Sequence, residues 1–230
     1  GIVDAMRPSA LVTGASRGLG AAIARSLSTT HDVYVGGRTP ESVAPVVAEL
    51  PGASAWACDV TDYAALAAAT ASIDSLDVLV HNAGVAHLGP VADSSPQQWR
   101  DTFEANVIAV AELTRLLLPA LRAAKGHVVL INSGAGLRAH AGWGAYAASK
   151  FALRAFGDAL RLEEPELRVT SVHPGRIDTD MQRAIVAGED RAYDPDEFLT
   201  ADTVALTVRN AVDTPRDAHP TEIVLRPIAR

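Results

Sequence analysis

The chain has 230 residues, of which 48% are hydrophobic and 20% are charged, and its formal net charge is -7. This balance predicts one globular domain and argues against nucleic-acid binding, which needs a clustered basic surface. No apolar run is long enough to span a membrane, no secretory signal is recognised, and the single cysteine, Cys58, cannot form an intrachain disulfide, so we expect a cytoplasmic protein.

Short apolar runs alternate along the chain with longer amphipathic stretches, which predicts alternating strands and helices. The predicted strands are residues 10–13, 33–36, 54–57, 77–81, 127–132, 168–173 and 222–225. The predicted helices are residues 18–28, 41–50, 63–73, 96–123, 144–162 and 201–212. This order indicates a single α/β domain with a doubly wound Rossmann fold, in which a mainly parallel seven-stranded sheet carries helices on both faces. Ligands of such folds bind at the carboxyl ends of the strands.

Local signals refine these boundaries. Thr61 and Asp62 are expected to cap the third helix, and Ser95 with Pro96 to open the fourth. Pro119 is expected to kink or end the fourth helix, because proline lacks a backbone N–H. The segment before Met6 is compatible with a cloning remnant, and residues 1–7 are expected to be disordered. The long irregular stretch at residues 175–200 is interpreted as a substrate lid, formed by residues 176–200.

A glycine-rich turn joins the first strand to the first helix. It reads Thr13-Gly14-Ala15-Ser16-Arg17-Gly18-Leu19-Gly20. Glycines let the backbone approach a pyrophosphate, and a helix N-terminus offers free N–H groups and a favourable dipole. The alternative is a turn that merely needs glycine for its geometry. Its place between a strand and a helix favours dinucleotide binding.

The end of the second strand carries a base where many cofactor sites carry an acid. A ribose 2′-hydroxyl usually meets an Asp or Glu there, but this chain has Gly37 followed by Arg38. Asp32 opens the strand, so it lies at the wrong end of the sheet. Arg38 and Arg17 can pair with a 2′-phosphate, although each alone could be a solvated surface charge. Together they favour NADP(H).

Tyr146 and Lys150 are four residues apart in a helical pattern, so they share one face. A nearby ammonium stabilises a phenolate, which is expected to lower the pKa of Tyr146 toward the operating range. Ser133 ends the preceding strand and can hydrogen-bond a substrate oxygen. The spacing alone is equally typical of a surface packing pair.

The surrounding motifs resemble those of the short-chain dehydrogenase/reductase family, in its compact single-domain branch. The glycine turn matches TGxxxGxG, Asn82-Ala83-Gly84 matches its NAG segment, and Ser133 with Tyr146 and Lys150 matches its Ser…YxxxK element. Further matches along almost the whole chain are Asp59-Val60, Asn106, Pro174-Gly175 with Thr179, and the closing strand at residues 221–227.

The resemblance implies a role for each matched residue. Tyr146 would be the general acid in carbonyl reduction and the base in alcohol oxidation, while Lys150 would bind the nicotinamide ribose and lower the tyrosine pKa. Ser133 would polarise the carbonyl, and Asn106 would hold a water in a proton relay. The expected cofactor contacts are Gly14, Ser16, Arg17, Gly18, Leu19, Gly20, Gly37, Arg38, Asp59, Val60, Asn82, Ala83, Gly84, Tyr146, Lys150, Pro174, Gly175, Ile177 and Thr179.

One position departs from the family pattern, since His81 stands where a second asparagine is common. We interpret His81 as structural, and no spacing of histidines or carboxylates predicts a catalytic metal. Substrate walls are expected from residues 85–88, residues 134–143 and the lid. Their apolar members, Leu88, Leu137 and Trp143, suggest a carbonyl substrate of hydrophobic character, whereas His87, Arg138 and His140 are more typical of a polar rim. The short lid suggests an open site with broad acceptance.

Two other functions compete with the NADP(H)-dependent oxidoreductase. A dinucleotide-binding sensor without catalysis would be expected to lack Ser133, Tyr146 or Lys150, and this chain keeps all three. An epimerase or dehydratase of the extended branch would carry a further substrate domain. The family resemblance also implies a homodimer or homotetramer packed through the fourth and fifth helices and the last strand. The apolar stripe of Val107, Val110, Leu113 and Leu117 fits either such an interface or the intramolecular core.

Overall fold

In the computed structural model, which describes residues 6–228, seven parallel strands form one sheet with helices on both faces. The strands are β1 Ser9–Val12, β2 Asp32–Gly37, β3 Ala53–Ala57, β4 Val78–His81, β5 His127–Ile131, β6 Arg168–Pro174 and β7 Glu222–Leu225. The helices are α1 Gly18–Ser28, α2 Pro40–Glu49, α3 Tyr63–Thr70, α4 Pro96–Phe103, α5 Ala109–Ala124, α6 Gly144–Glu163, α7 Asp180–Ala187 and α8 Ala201–Asp213.

The strand order within these residues is β3-β2-β1-β4-β5-β6-β7, which confirms the doubly wound fold expected from the sequence. β1 lies between β2 and β4, with Val12 paired to Val35 on one side and to Val80 on the other. The winding direction therefore reverses at the β1–β4 boundary. Loops that follow β1 and β4 separate there and open a crevice at the carboxyl edge, the usual ligand site of this architecture.

Successive side chains along each strand point to opposite faces of the sheet, which gives the domain two hydrophobic cores. In β1, Val12 packs with the apolar residues of α1, α2 and α8, while Leu11 points to the opposite face, toward α3, α5 and α6. Because both faces are covered, the central strands are apolar throughout, and β5 is buried at every position. The sheet is thus a rigid support for the loops at its carboxyl edge.

The capping predictions are confirmed in detail at two helices. The Asp62 carboxylate accepts a hydrogen bond from the Ala65 amide at 3.0 Å and caps α3, whereas Thr61 bonds Asp59 instead. Ser95 caps α4 by accepting from the Gln98 amide, and the Gln98 side chain accepts in return from the Ser95 amide at 2.8 Å.

Pro119 does not end the fourth helix, so that part of the prediction is wrong, while the kink stays a prediction. α5 continues through it to Ala124. Pro119 and Arg115, one turn earlier, are both exposed, so water can satisfy the carbonyl that proline leaves without a donor. The predicted fourth helix, residues 96–123, is instead interrupted before Pro119, where a π-helical stretch, Glu104–Ile108, separates α4 from α5.

The lid is more regular than the sequence indicated. It contains α7, capped by the Thr179 hydroxyl, and a short 3₁₀ turn at Pro195–Glu197. A β-bridge between Ile177 and Leu199 closes its base. At the N-terminus, residues 1–5 lie outside the described residues. The Arg7 guanidinium donates to the Ser28 carbonyl at 2.7 Å.

Candidate active site

The glycine turn has the backbone geometry that a closely approaching phosphate requires. Gly14 and Gly18 have φ angles of +60° and +56°, which side chains on L residues rarely allow. A Cβ on Gly20 would lie 2.1 Å from the Gly14 carbonyl oxygen, so only glycine fits there. Beside Gly18, in contrast, a Cβ would find open space within 4 Å.

The start of α1 carries no competing side chain. Arg17 occupies the N-cap without a side-chain capping bond, and the first turn has no acidic residue. The Ala21 amide is bonded to the Arg17 carbonyl, while the amides of Gly18, Leu19 and Gly20 precede the helical hydrogen-bond ladder. The open backbone and free N–H donors suit the pyrophosphate of a dinucleotide.

The Asn82-Ala83-Gly84 segment is tied directly to this turn. The amides of Asn82 and Ala83 both donate to the Thr13 hydroxyl at 3.0 Å, and the Asn82 side-chain amide donates to the Gly14 carbonyl at 3.0 Å. The β1 and β4 loops therefore form one unit. Ala83 also lines a small cleft with Thr13 and Val60, which brings the predicted contact after β3 to the same edge.

The carboxyl end of β2 is followed by Arg38 rather than by a carboxylate, and Arg17 stands in the turn after β1. Arg17 and Arg38 are both exposed, and Ser16 lies next to Gly37, since a Cβ on Gly37 would be 3.8 Å from the Ser16 Cβ. Asp59 follows β3, and hydrogen bonds from Thr61, supplemented by the charge of Arg38, lower its pKa. Asp32 opens β2 as expected, at the opposite edge of the sheet.

Asn106 is held in the π-helical stretch and is buried. Its Oδ1 accepts from the Val85 amide at 2.8 Å, and its Nδ2 donates to the Val85 carbonyl at 2.9 Å and to the Ser149 hydroxyl at 3.0 Å. A Cβ on Gly84 would lie 2.8 Å from Asn106 Oδ1 and 4.0 Å from Lys150 Nζ. Asn106, Gly84 and Lys150 therefore meet at one point.

Tyr146 and Lys150 project from the first turns of α6 toward the end of β5. The Lys150 Nζ lies 5.7 Å from the centre of the Tyr146 ring and donates to the Ile131 carbonyl at 3.1 Å. Burial lowers the pKa of Lys150 to about 8. Burial also raises the pKa of Tyr146, and the neighbouring Ser133 side chain only partly opposes this. The net direction for Tyr146 is opposite to the lowering expected from the sequence.

Two polar residues absent from the sequence-based site complete the framework. The Asn132 side chain accepts from the Ser133 amide at 2.8 Å and donates to the Lys150 carbonyl at 3.0 Å, so it ties the end of β5 to α6. Ser149 donates to the Tyr146 carbonyl at 2.7 Å while it receives the bond from Asn106. In the sequence, the available signals were a polar residue directly before Ser133 and another directly before Lys150.

The segment after β6 forms the remaining side of the crevice. The Gly175 amide donates to the Leu225 carbonyl at 2.8 Å, and a Cβ on Gly175 would lie 3.0 Å from Pro227. Ile177 lies in the bridge at the base of the lid. The Thr179 hydroxyl accepts from the Gln182 amide at 3.2 Å as the cap of α7, which fixes it at the mouth of the lid.

The Gly89 amide, directly after the predicted wall of residues 85–88, donates to the Gly142 carbonyl of the second predicted wall at 2.7 Å. Trp143 stands edge-on to Tyr146, with ring centres 5.8 Å apart, and His140 stands edge-on to Trp143 at 6.0 Å. The apolar members of the walls are half-buried, whereas the polar ones, His87, Arg138 and His140, are exposed. An aromatic surface therefore extends from Tyr146 toward a polar rim.

His81 has a structural environment. It is buried, its Nε2 lies 2.8 Å from the Thr114 hydroxyl of α5, and burial lowers its pKa to about 3. Within residues 6–228 no group of three or more potential metal ligands comes together, and no helix there is both long and apolar enough to cross a membrane.

Three of the four residues of the predicted apolar stripe belong to the core, whereas Val107, in the π-helical stretch before α5, is half-buried. Val110, Leu113 and Leu117 are at most 5% exposed and pack beneath the sheet, so they provide no oligomer interface. Exposed apolar residues occur instead at Ile108, just before α5, and at Phe151 of α6.

Comparison with known proteins gives consistent matches. A model of the short chain dehydrogenase family matches residues 8–190. The 3-oxoacyl-[acyl-carrier-protein] reductase FabG of Escherichia coli (strain K12) is 33% identical over 185 residues, which cover 76% of this chain and 76% of that protein. The benzil reductase ((S)-benzoin forming) of Saccharomyces cerevisiae is 33% identical over 196 residues, which cover 76% of this chain and 73% of that protein. A solved metagenomic short-chain oxidoreductase in complex with NADP is similar at a TM-score of 0.82 and 32% identity, covering 97% of this chain and 98% of that one.

Proposed function

Because this chain belongs to the short-chain dehydrogenase family of NAD(P)-dependent oxidoreductases, we propose that it transfers a hydride between NADP(H) and a carbonyl or secondary alcohol, with Tyr146 as the general acid and base. The observation that carries this proposal is the meeting of Ser133, Tyr146 and Lys150 beside the glycine turn, at the carboxyl edge of the sheet.

The cofactor proposal is supported by the fit of the turn and the α1 N-terminus to a pyrophosphate. When bound, the nicotinamide supplies or accepts the hydride. Arg17 and Arg38 would hold the 2′-phosphate, since guanidinium groups bind phosphate oxygens in pairs and no carboxylate at the end of β2 would repel it. The similar metagenomic oxidoreductase was solved with NADP, which favours the same choice here.

The proton chemistry is assigned to Tyr146. Burial keeps its phenol protonated, so during reduction the hydroxyl can donate its proton to the substrate oxygen as negative charge develops there. During oxidation the phenolate takes the proton from the alcohol. Ser133 would hold the same oxygen from the β5 side, because its side chain neighbours the Tyr146 hydroxyl.

Lys150 and Asn106 support this step in different ways. The Lys150 ammonium is anchored to the Ile131 carbonyl and would hold the nicotinamide ribose hydroxyls in place. Asn106 meets Lys150 across Gly84, where a water could carry protons between Lys150 and the solvent. Their positions prepare the geometry of the reaction before the substrate arrives.

The substrate is proposed to be a carbonyl compound with hydrophobic character. The edge-on contact of Trp143 with Tyr146 puts an apolar ring beside the reacting group. The similar proteins named as a benzil reductase and a 3-oxoacyl reductase suggest aromatic ketones and 3-oxoacyl thioesters as the first compounds to test.

The test follows NADPH and NADH consumption in parallel over aldehydes, aromatic ketones, quinones and 3-oxoacyl compounds. We expect turnover with NADPH, which Tyr146→Phe abolishes while NADPH binding persists. Tyr34→Phe, on β2, is the matched control and should keep its activity. Undiminished turnover by Tyr146→Phe refutes the assignment. NADPH binding without turnover of any compound would favour the sensor instead.

The assembly is proposed to be a homodimer or homotetramer. Ile108 and Phe151 are 46% and 43% exposed, and they lie within residues 96–123 and 144–162, the helices predicted from the sequence through which the family resemblance implies association. Light scattering should give the mass of two or four chains, and Phe151→Glu should lower it. A monomeric wild-type protein contradicts this proposal.

A further inference from the structure

A buried histidine that the proposed reaction does not use lies directly behind Ser133. His173 belongs to β6, is 0% exposed, and has both ring nitrogens in contact with oxygen atoms. Its Nδ1 lies 3.1 Å from the Ser133 carbonyl oxygen, and its Nε2 lies 3.1 Å from Oε1 of Glu222 on β7. The ring thus connects the edge strand with the loop that carries Ser133.

Each ring nitrogen of His173 faces an oxygen atom that can accept a hydrogen bond. A carbonyl oxygen can only accept a hydrogen bond, so Nδ1 must donate to Ser133. The Glu222 carboxylate also only accepts, because the hydrogen bond from Arg154 lowers its pKa and keeps it ionised. For both contacts to be hydrogen bonds, Nε2 must therefore donate as well.

The charged groups around the ring form a chain from the surface to the site. Arg154 of α6 donates to Glu222 from Nε at 2.6 Å and from Nη2 at 3.1 Å, and Glu222 faces His173 from β7. From the surface inward, the order is therefore the Arg154 guanidinium, the Glu222 carboxylate and the His173 ring. Arg154 lies one helical turn beyond Lys150, so the chain is attached to the same helix that carries Tyr146 and Lys150.

The Ser133 carbonyl is held by two donors. The Gly136 amide donates to it at 2.9 Å and closes the 3₁₀ turn Gly134–Gly136, while His173 Nδ1 approaches from the sheet. With both lone pairs engaged, the peptide after Ser133 has one orientation. The Ser133 hydroxyl is held within the same turn, because it accepts a hydrogen bond from the Ala135 amide at 3.1 Å.

We propose that His173 is a positioning residue, held doubly protonated between Glu222 and the Ser133 carbonyl, which keeps the Ser133 hydroxyl aimed at the substrate oxygen beside Tyr146. This inference rests on the proposed function for the role of Ser133, but the protonation of the ring does not depend on turnover.

The first test reads the ring directly. In the protein labelled with ¹⁵N-histidine, NMR near neutral pH should show one histidine with two protonated ring nitrogens, and His173→Leu should remove that signal. In Glu222→Gln the new amide can donate to Nε2, so His173 should become neutral with its proton on Nδ1. A neutral His173 in the wild-type protein overturns the proposal.

The second test reads the consequence for Ser133. Glu222→Gln should keep kcat within about twofold of wild type, because neutral His173 still donates to the Ser133 carbonyl. His173→Leu should lower kcat by about tenfold to a hundredfold with NADPH affinity unchanged, since small misplacements of a reacting group have costs of this order. An unchanged kcat in His173→Leu overturns the positioning role.

The two proposals fail in different ways. If the wild-type protein turns over none of the carbonyl compounds, the proposed function fails, and the NMR signals still decide the state of His173. If His173→Leu does not fold, His173→Phe offers the alternative variant, since its ring fills the same place without a nitrogen to donate to the Ser133 carbonyl, and it should lower kcat to the same extent. Full activity of that variant contradicts the inference.

Discussion

Removal of the Arg38 guanidinium should lower kcat/KM for NADPH but not for NADH. Arg38 is exposed at the carboxyl end of β2, and a single hydrogen bond to a charged group contributes about 1.5–3 kcal/mol. At about 1.4 kcal/mol per factor of ten, Arg38→Ala should lower kcat/KM for NADPH by about tenfold to a hundredfold. The value for NADH should change by less than about threefold, because NADH has no group for Arg38 to bind.

The salt dependence provides an independent check of the same contact. The Debye length falls from about 10 Å at 0.1 M to about 3 Å at 1 M ionic strength, so an exposed arginine–phosphate pair weakens with salt. The ratio of kcat/KM for NADPH to that for NADH should therefore fall in the wild-type protein as salt is added. In Arg38→Ala the same ratio should change less with salt.

Steady-state rates with both cofactors at several salt concentrations measure these effects. Arg100→Ala, on α4, removes an equally exposed arginine and controls for the loss of one positive charge. The reasoning is refuted if Arg38→Ala lowers kcat/KM equally for NADPH and NADH, or if the wild-type protein works with NADH alone.

Four further outcomes follow from particular contacts. Gly20→Ala should weaken NADPH binding at least about tenfold by calorimetry, because its Cβ would overlap the Gly14 carbonyl, whereas Gly89→Ala, whose Cβ would meet nothing closer than 3.9 Å, should not. Asn106→Ala should lower the free energy of unfolding by about 2–4 kcal/mol in urea titrations, since three hydrogen bonds are lost; a change below about 0.5 kcal/mol would contradict their role. Burial holds the pKa of His81 at about 3 in the folded protein, whereas an unfolded histidine binds a proton below about pH 6.5. The free energy of unfolding should therefore be unaffected by His81 above about pH 6.5 and fall by about 1.4 kcal/mol per pH unit below it. His81→Asn should reduce that slope. Because burial raises the pKa of Tyr146, the oxidation rate should rise with pH while reduction falls; parallel pH profiles would refute this.

The strand ends and the motifs attached to them were predictable because they rest on local chemistry. A parallel sheet buried on both faces needs uninterrupted apolar runs, and the loops after β1, β4 and β5 carry glycines and polar residues that such runs lack. Once the strand order follows from right-handed crossovers, Gly14, Asn82 and Ser133 must lie at one edge. The site could therefore be assembled before any distance was known.

The features that escaped prediction depend on tertiary context. The π-helical stretch at Glu104–Ile108 keeps the apolar pattern of an ordinary helix, so periodicity does not reveal the change that puts Asn106 against Val85. Pro119 is tolerated only because its face of α5 is exposed. Helix α7 is short, and the neighbouring glycine and acidic residues concealed it, although Thr179 followed by Asp180 was a capping signal.

The acid–base balance of the site reflects burial more than the pairing of charges. The sequence puts the Lys150 ammonium next to the Tyr146 phenol, which predicts a more acidic phenol. In the structure the same burial disfavours the charged form of both groups, so the pKa of Tyr146 rises while that of Lys150 falls to about 8. A neutral phenol is the form that donates a proton to a carbonyl, whereas alcohol oxidation needs the phenolate that burial opposes. Within the proposed reaction, the neutral phenol of Tyr146 would therefore suit carbonyl reduction, and alcohol oxidation would need a higher pH or the bound cofactor to stabilise the phenolate.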